Sequence, residues 1–168
     1  MEVTVDLIRA LRERTGAGIM ECKTSLEANQ GDLDKAAEAL RVQGFAQVAK
    51  RADRATDQGV VEAYVHTGGR VGAMVELGCE TDFVARTPDF KGLAHDLAMQ
   101  VAAMAPTYID IDDVPEATNG VNPEEACLMH QPFIRDPSKS IQDLVAETVG
   151  KLGENVRVRR FSRFSLGE

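Results

Sequence analysis

Apolar residues recur every three or four positions over roughly the first 50 residues, which is the spacing of amphipathic helices. Thr4 and Asp32 are placed to cap helices, and the stretches Gly16–Gly18 and Asn29–Gly31 are placed to end them. The pattern therefore predicts three short helices. The side chains expected to face inward are Leu7, Ile8 and Leu11, then Ile19, Cys22 and Leu26, then Leu33, Ala36, Ala37 and Leu40. A bundle of this size has a small core, and such modules usually bind a partner.

The apolar spacing changes from about four to two after Gly59. Two alternating runs flank the turn Thr67–Arg70 and predict a β-hairpin. The first run is Val61, Ala63 and Val65, and the second is Val71, Ala73, Val75 and Leu77. Between Phe45 and Asp57 the periodicity fades and basic residues accumulate, so this segment is either a linker or the end of the third helix.

A longer helix is predicted after Thr87 and Pro88, which suit an N-cap and a first helical position. It ends before Pro106, and we expect its apolar stripe to pack on the sheet. The stripe is Phe90, Leu93, Ala94, Leu97, Val101 and Met104. The acidic segment Asp110–Glu125 that follows is predicted to be an exposed loop.

The C-terminal third predicts a short edge strand, a helix and a final strand. The edge strand is expected at Gln131–Ile134 because of its proline. Ser140 and Asp143 resemble a capping box for a helix ended by Gly153. Its expected stripe is Ile141, Leu144, Val145, Thr148 and Leu152. The strand Val156–Phe164 alternates until Arg159, where the alternation slips by one residue and predicts a β-bulge.

Composition and charge narrow the classes of function. The 168 residues are 43% hydrophobic and 27% charged, which is typical of a globular protein. A net charge of -8 argues against general affinity for nucleic acid, although four arginines lie on the last strand. The acidic N-terminus and the lack of a long apolar run indicate a cytoplasmic protein that does not cross a membrane. Three widely spaced cysteines, Cys22, Cys79 and Cys127, predict neither disulfides nor a zinc site.

The sequence offers little for catalysis or cofactor binding. The glycines of Gly16–Gly18 follow a helix and lack the lysine of a phosphate-binding loop. Asp110, Asp112 and Asp113 are not followed by the remaining ligands of a calcium loop. The three histidines, His66, His95 and His130, are far apart in the sequence, and no nucleophile motif is present. We therefore expect no cofactor and no metal, and a protein that acts by binding.

The segment Glu80–Arg86 lies between the predicted hairpin and the long helix and places an acid beside an aromatic residue, Asp82-Phe83. Either Phe83 folds back into the core and Asp82 caps a turn, or Phe83 is presented rigidly to a partner. A second apolar residue also lacks a place in a core, because Met20 lies opposite Leu26 on its helix and beside Lys23.

Three stretches resemble the signature regions of the translation elongation factor Ts family: Leu11–Lys23, Glu80–Arg86, and Gly153–Val156 together with Arg159–Phe161. They occur in the family's order and cover both ends and the middle of the chain. The resemblance implies an α+β fold with two domains. Residues 1–55 would form a ubiquitin-associated-like three-helix module, and residues 56–168 an antiparallel-sheet-plus-helices dimerisation core.

The resemblance also implies a function, which is guanine nucleotide exchange on elongation factor Tu, without covalent chemistry. Thr81, Asp82, Phe83 and Val84, here called the exchange wedge, would disturb the magnesium and phosphate end of the GDP site of Tu. Contacts of the N-terminal module with Tu would come from Arg12, Ile19, Met20 and Lys23. Both GDP-bound and nucleotide-free Tu would be partners.

Longer family members carry a helical insertion and often a second core subdomain, and both are missing between the acidic segment and Gln131. A single core subdomain leaves part of its sheet uncovered, so we expect a homodimer. Two other functions compete with nucleotide exchange. One is a ubiquitin-associated-like adaptor without exchange activity, and the other is a small hydrolase that uses Glu80, Asp82 and His66.

Overall fold

The computed structural model of the protein describes residues 3–118 and 120–168. Over these residues the fold is mixed, with seven α-helices, two 3-10 turns and two antiparallel sheets, which confirms the α+β class. The helices are α1 (Val5–Thr15), α2 (Ile19–Ala28), α3 (Leu33–Arg51), α4 (Asp82–Ala85), α5 (Pro88–Met104), α6 (Pro123–Ala126) and α7 (Ile141–Leu152). The strands are β1 (Gln58–Val65), β2 (Val71–Cys79), β3 (Pro132–Phe133), β4 (Asp136–Ser140) and β5 (Val156–Ser165).

The chain forms two compact units. One contains the chain up to Asp53 together with Ala146–Glu154, and the other contains Arg54–Val145 together with Asn155–Glu168. The second half of α7 therefore belongs to the N-terminal unit, although it lies between β4 and β5 in the sequence. The functional division at residues 55 and 56 stays a prediction.

The N-terminal unit contains the three predicted helices with the predicted caps. The Thr4 hydroxyl accepts the Leu7 N–H at 3.3 Å, and Gly16 ends α1 with a φ of 69°. The N–H of Lys35 donates to Asp32 at 3.0 Å and holds the pKa of this carboxyl below its usual value. The fully buried core is Leu11, Cys22, Leu26 and Ala36.

The structure corrects one expectation for this unit and decides between two alternatives for another segment. Ile19 was expected in the core but is 56% exposed, because it is the first residue of α2 and the core begins one turn later, at Cys22. The segment after Phe45 is helical as far as Arg51 and is not a linker up to that point. This extension of α3 packs on α7, where a Cβ on Gly44 would lie 3.7 Å from the Cβ of Ala146.

The second unit is built on a three-stranded antiparallel sheet with the order β1-β2-β5. Helix α5 covers one face of this sheet, and the predicted stripe of α5 is buried except for Met104, which is 40% exposed. In β2 the predicted residues Ala73, Val75 and Leu77 are buried against it. The predicted β-bulge is confirmed, since Glu76 pairs with Arg160 but Leu77 pairs with Val158, which leaves Arg159 as the extra residue.

The alternating apolar residues of β1 do not pack on α5. Val61 and Val65 are 62% and 66% exposed, and Ala63 is exposed beside them. The side chains of Glu62 and Tyr64 point instead toward α5, where both contact His95. Both faces of β1 carry apolar residues, so alternation alone could not identify the buried face.

The segment between α5 and β3 contains short helical turns that the sequence did not predict, at Ile111–Asp113, Pro123–Ala126 and Leu128–His130. Two fully buried glutamines, Gln100 on α5 and Gln131, connect the end of this segment to α5. The Gln100 amide donates to Gln131 at 3.2 Å and to the carbonyl of Pro132 at 3.1 Å, and its oxygen accepts the Ile134 N–H at 3.0 Å. The strand predicted at Gln131–Ile134 is present as β3, and it pairs with β4.

The capping box predicted for α7 is confirmed. The Ser140 N–H donates to Asp143 at 2.9 Å, and the Asp143 N–H donates to the Ser140 hydroxyl at 3.1 Å. Of the predicted stripe, Ile141 and Val145 are fully buried, whereas Leu144, Thr148 and Leu152 are only partly buried. The other buried positions of α7 are Ala146 and Val149.

Replacing Gln100 by methionine should lower the free energy of unfolding by about 2 kcal/mol or more, because the Ile134 N–H and the Gln131 amide lose their buried partner. Urea unfolding would measure the change. Gln142→Met, at an exposed position of α7, is the matched control and should change stability by less than about 0.5 kcal/mol. Equal stability of the two variants would contradict the structural role of the buried amide.

Candidate functional site

The exchange wedge forms a short capped helix at the end of β2. The Thr81 hydroxyl accepts the Val84 N–H at 3.4 Å and is the N-cap of α4. Phe83 is 77% exposed, whereas Ala85 on the same helix is buried. The interpretation of Phe83 as a core residue was therefore wrong. Asp82 does not cap the turn, and instead forms an ion pair with Arg86 at 2.9 Å.

Side chains on both flanks hold the backbone of this helix. The buried Cys79 thiol donates to the Thr81 carbonyl at 3.1 Å. On the other side, the Thr87 hydroxyl donates to the Val84 carbonyl at 2.7 Å and accepts the Phe90 N–H at 3.3 Å. Thr87 is also the N-cap of α5, so one side chain binds the end of the wedge and caps the long helix. Phe83 is consequently an exposed aromatic side chain on an ordered backbone.

The residue before the wedge makes contacts that sequence reasoning did not find. One oxygen of Glu80 accepts the N–H of Asn155 at 2.7 Å and lies 3.4 Å from the guanidinium of Arg54. These partners are 75 and 26 positions away in the sequence, so no local pattern could reveal them. The backbone at Gly78 packs closely against the segment before β1, since a Cβ atom added to Gly78 would lie 2.8 Å from the carbonyl oxygen of Thr56.

The second predicted set lies in the N-terminal unit, on α1 and α2. Arg12, Ile19, Met20 and Lys23 are all exposed, and Met20 is 68% exposed. Lys23 forms an ion pair with Glu27 at 3.7 Å. Two neighbouring apolar side chains, Ile19 and Met20, are therefore exposed at the start of α2. The two cations are Lys23, on the same helix, and Arg12, on α1. The contacts of both sets with a partner remain predictions.

Groups that could support catalysis are separated or buried. Glu80 follows the end of β2 that pairs with Gln58, whereas His66 follows the other end of the hairpin, roughly 20 Å away. The hydrolase alternative needs these groups together, and the structure does not bring them together. Burial raises the pKa of the thiols of Cys22 and Cys127, which makes both poor nucleophiles.

The histidines have structural partners. Both His66 and His95 contact Tyr64, with His66 hydrogen-bonded to its hydroxyl at 2.9 Å. His130 contacts Asp110 at 2.9 Å. In the part of the chain that the structure describes, no three His, Cys, Asp or Glu side chains are arranged to hold a metal ion. Nor does any described helix have the length and apolar character needed to cross a membrane.

The second unit carries an exposed aromatic side chain on an ordered loop, and the N-terminal unit separately carries exposed apolar residues. Both features are typical of a protein that acts through contacts with other macromolecules. Comparison with known proteins identifies the family. The sequence model described as "Elongation factor TS" matches residues 12–124. The chain belongs to the elongation factor Ts family, and its role lies in translation elongation during protein biosynthesis.

Relatives named elongation factor Ts align along nearly the whole chain. The relative from Thermotoga neapolitana is 47% identical, with 100% of this chain and 99% of the relative covered. The relative from Carboxydothermus hydrogenoformans is 45% identical, with 99% of this chain and 90% of the relative covered. The one from Coprothermobacter proteolyticus is 44% identical over 100% of both. This last alignment spans 197 positions, whereas the chain has 168 residues, so that relative carries residues without a counterpart here.

Replacing Phe83 by alanine should leave the free energy of unfolding within about 0.5 kcal/mol of the native value, because the ring contributes little to the core. The matched control is Phe90→Ala, which removes a fully buried ring of α5 and should cost about 3–5 kcal/mol. Urea unfolding of the two variants would test this. A large loss of stability for Phe83→Ala would mean that the ring is part of the core after all.

Proposed function

We propose that the protein is a guanine nucleotide exchange factor that promotes GDP release from elongation factor Tu in the cytoplasm, without covalent chemistry. Membership of the elongation factor Ts family supports this function. The structural observation that carries it is Phe83, which is 77% exposed on a capped helix and has half-exposed Asp82 beside it. Its binding partners would be the GDP-bound and nucleotide-free forms of Tu, with no direct contact to nucleic acid.

The mechanism is thermodynamic linkage between two ligands of Tu. If the factor binds nucleotide-free Tu more tightly than GDP-bound Tu, it must weaken GDP binding by the same factor. GDP is held mainly by a magnesium ion and by main-chain N–H groups around its phosphates. A side chain that enters this region only when the site is open stabilises the open form selectively.

The energies are sufficient for a large effect. Burying the Phe83 ring in Tu would contribute roughly 2 kcal/mol, and only in the open state. An acceleration of about 10⁴ requires the barrier to fall by about 5.5 kcal/mol. One buried aromatic residue together with a displaced metal contact can supply that amount. An ordered wedge helps, because little entropy is lost when it binds.

The N-terminal unit would supply a second contact with Tu through Arg12, Ile19, Met20 and Lys23. Exposed Ile19 and Met20 provide apolar area, and the two cations suit an acidic rim on the partner. Two contacts on one chain raise the effective concentration of the wedge at its target. This unit would therefore strengthen binding, and the wedge would provide the exchange activity.

Replacing both Asp82 and Phe83 by alanine should abolish most of the acceleration of fluorescent GDP release from Tu, with a fall of at least about tenfold in the maximal rate. Stopped-flow measurement at saturating factor would detect it. Val42→Ala, which truncates another exposed apolar side chain, is the control and should behave like the native chain. If the native chain binds Tu without accelerating release, the adaptor function is the better explanation.

We also propose that the protein is a homodimer formed through the open face of the sheet. This face carries exposed apolar side chains from all three strands, which are Val61, Ala63, Val65, Met74 and Phe164. At one end, Glu76 and Arg160 pair with each other at 2.6 Å, so their charges are compensated within one chain. A face that is apolar and internally neutral can meet a second copy of itself around a two-fold axis.

Phe164→Asp should convert the dimer into a monomer, because the new charge would be buried in the apolar interface without a partner. Sedimentation equilibrium at micromolar concentration would measure the mass. Phe83→Asp introduces the same charge at an equally exposed phenylalanine outside this face and should remain dimeric. A native chain that is monomeric under these conditions would refute the proposed dimer.

A further inference from the structure

Glu80 connects three segments of the second unit that are far apart in the sequence. Its Oε1 atom accepts the main-chain N–H of Asn155, just before β5, at 2.7 Å. The same atom lies 3.4 Å from Nη1 of Arg54, which precedes β1. The Asn155 side chain in turn donates to the carbonyl of Arg54 at 2.9 Å. The end of β2 is thereby tied to the chain entering β1 and to the chain entering β5.

The environment makes this contact a strong one. Asn155 is only 3% exposed, so its N–H needs an acceptor from the protein. The Glu80 side chain is 23% exposed, which limits competition from water. A carboxylate that accepts an N–H at 2.7 Å forms a charge-assisted hydrogen bond, and the guanidinium of Arg54 lies close to the same oxygen.

The exchange wedge needs an anchor of this kind. Helix α4 has only four residues, and a helix of that length is not stable by itself. The contacts of Thr81 and Thr87 fix its local shape, because they lie within the same loop. The hydrogen bond from Asn155 is different, since it fixes the residue next to the N-cap against a neighbouring strand of the sheet.

We propose that Glu80 is a positioning residue for the exchange wedge. It acts through the orientation of Asp82 and Phe83 and does not itself touch the nucleotide site of Tu. This inference rests on the proposed exchange function. Because orientation affects the open complex more than the first encounter, losing Glu80 lowers the maximal release rate and leaves the half-saturating concentration nearly unchanged.

The first test measures GDP release from Tu with full-length Glu80→Ala, Glu80→Gln and native protein over a range of concentrations. Glu80→Ala should reduce the maximal rate about tenfold, with a half-saturating concentration within about twofold of native. Glu80→Gln keeps an oxygen that can accept the Asn155 N–H and should stay within about threefold of native. Glu116→Ala, at an exposed acid of the segment after α5, is the control and should match the native rate.

The second test does not need Tu. Hydrogen exchange followed by mass spectrometry should show faster exchange over residues 80–86 in Glu80→Ala, with unchanged exchange in α1 and α2. If Glu80→Ala does not fold, Glu80→Asp replaces it, because the shorter side chain withdraws the oxygen from Asn155 and should give the same two results.

The outcomes separate the two proposals. If the native chain does not accelerate GDP release, the exchange function fails, and hydrogen exchange alone decides whether Glu80 orders the loop. If the native chain is active, an unchanged maximal rate in Glu80→Ala overturns the proposal that Glu80 positions the exchange wedge. It is also overturned by a reduced rate without faster exchange over residues 80–86, since Glu80 would then act by direct contact.

Discussion

The pairing of β2 with a neighbouring strand on each side is the constraint on which the second unit depends. Because β2 is the central strand and is buried against α5, its end is held by pairing on both sides, with Gln58 of β1 and Val156 of β5. The exchange wedge begins two residues later. A binding loop attached there is ordered before it meets a partner, so the entropy of ordering belongs to folding and does not weaken association.

Features with a local cause could be predicted from the sequence. The N-caps at Thr4 and Thr87 and the capping box of Ser140 depend on residues within four positions, and each is present. The bulge at Arg159 was visible as a slip in alternation. The buried face of β1 was not predictable, because apolar residues lie on both of its faces. Strand β4 was missed because its sequence, Asp136–Ser140, is polar.

The candidate site was only partly accessible to the same reasoning. The sequence left Phe83 with two interpretations, and the fold decides between them because Ala85 occupies the buried position of α4. The partners of Glu80 come from remote strands, and only tertiary structure shows them. The proposed partner of the loop rests on family membership, since periodicity and composition describe the fold of a chain and not the chemistry of its partner.

The bulge in β5 has a consequence for changes in chain length. In a strand without a bulge, one extra residue exchanges the two faces for everything that follows. If Arg159 paired as an ordinary residue of a regular strand, Phe164 would turn toward α5 and Phe161 toward the open face. The bulge takes up the extra residue, so Val158 and Phe161 both face the helix while Phe164 faces outward. Loss of Arg159 alone would therefore remove the bulge and preserve both surfaces, although it shortens the chain by one residue.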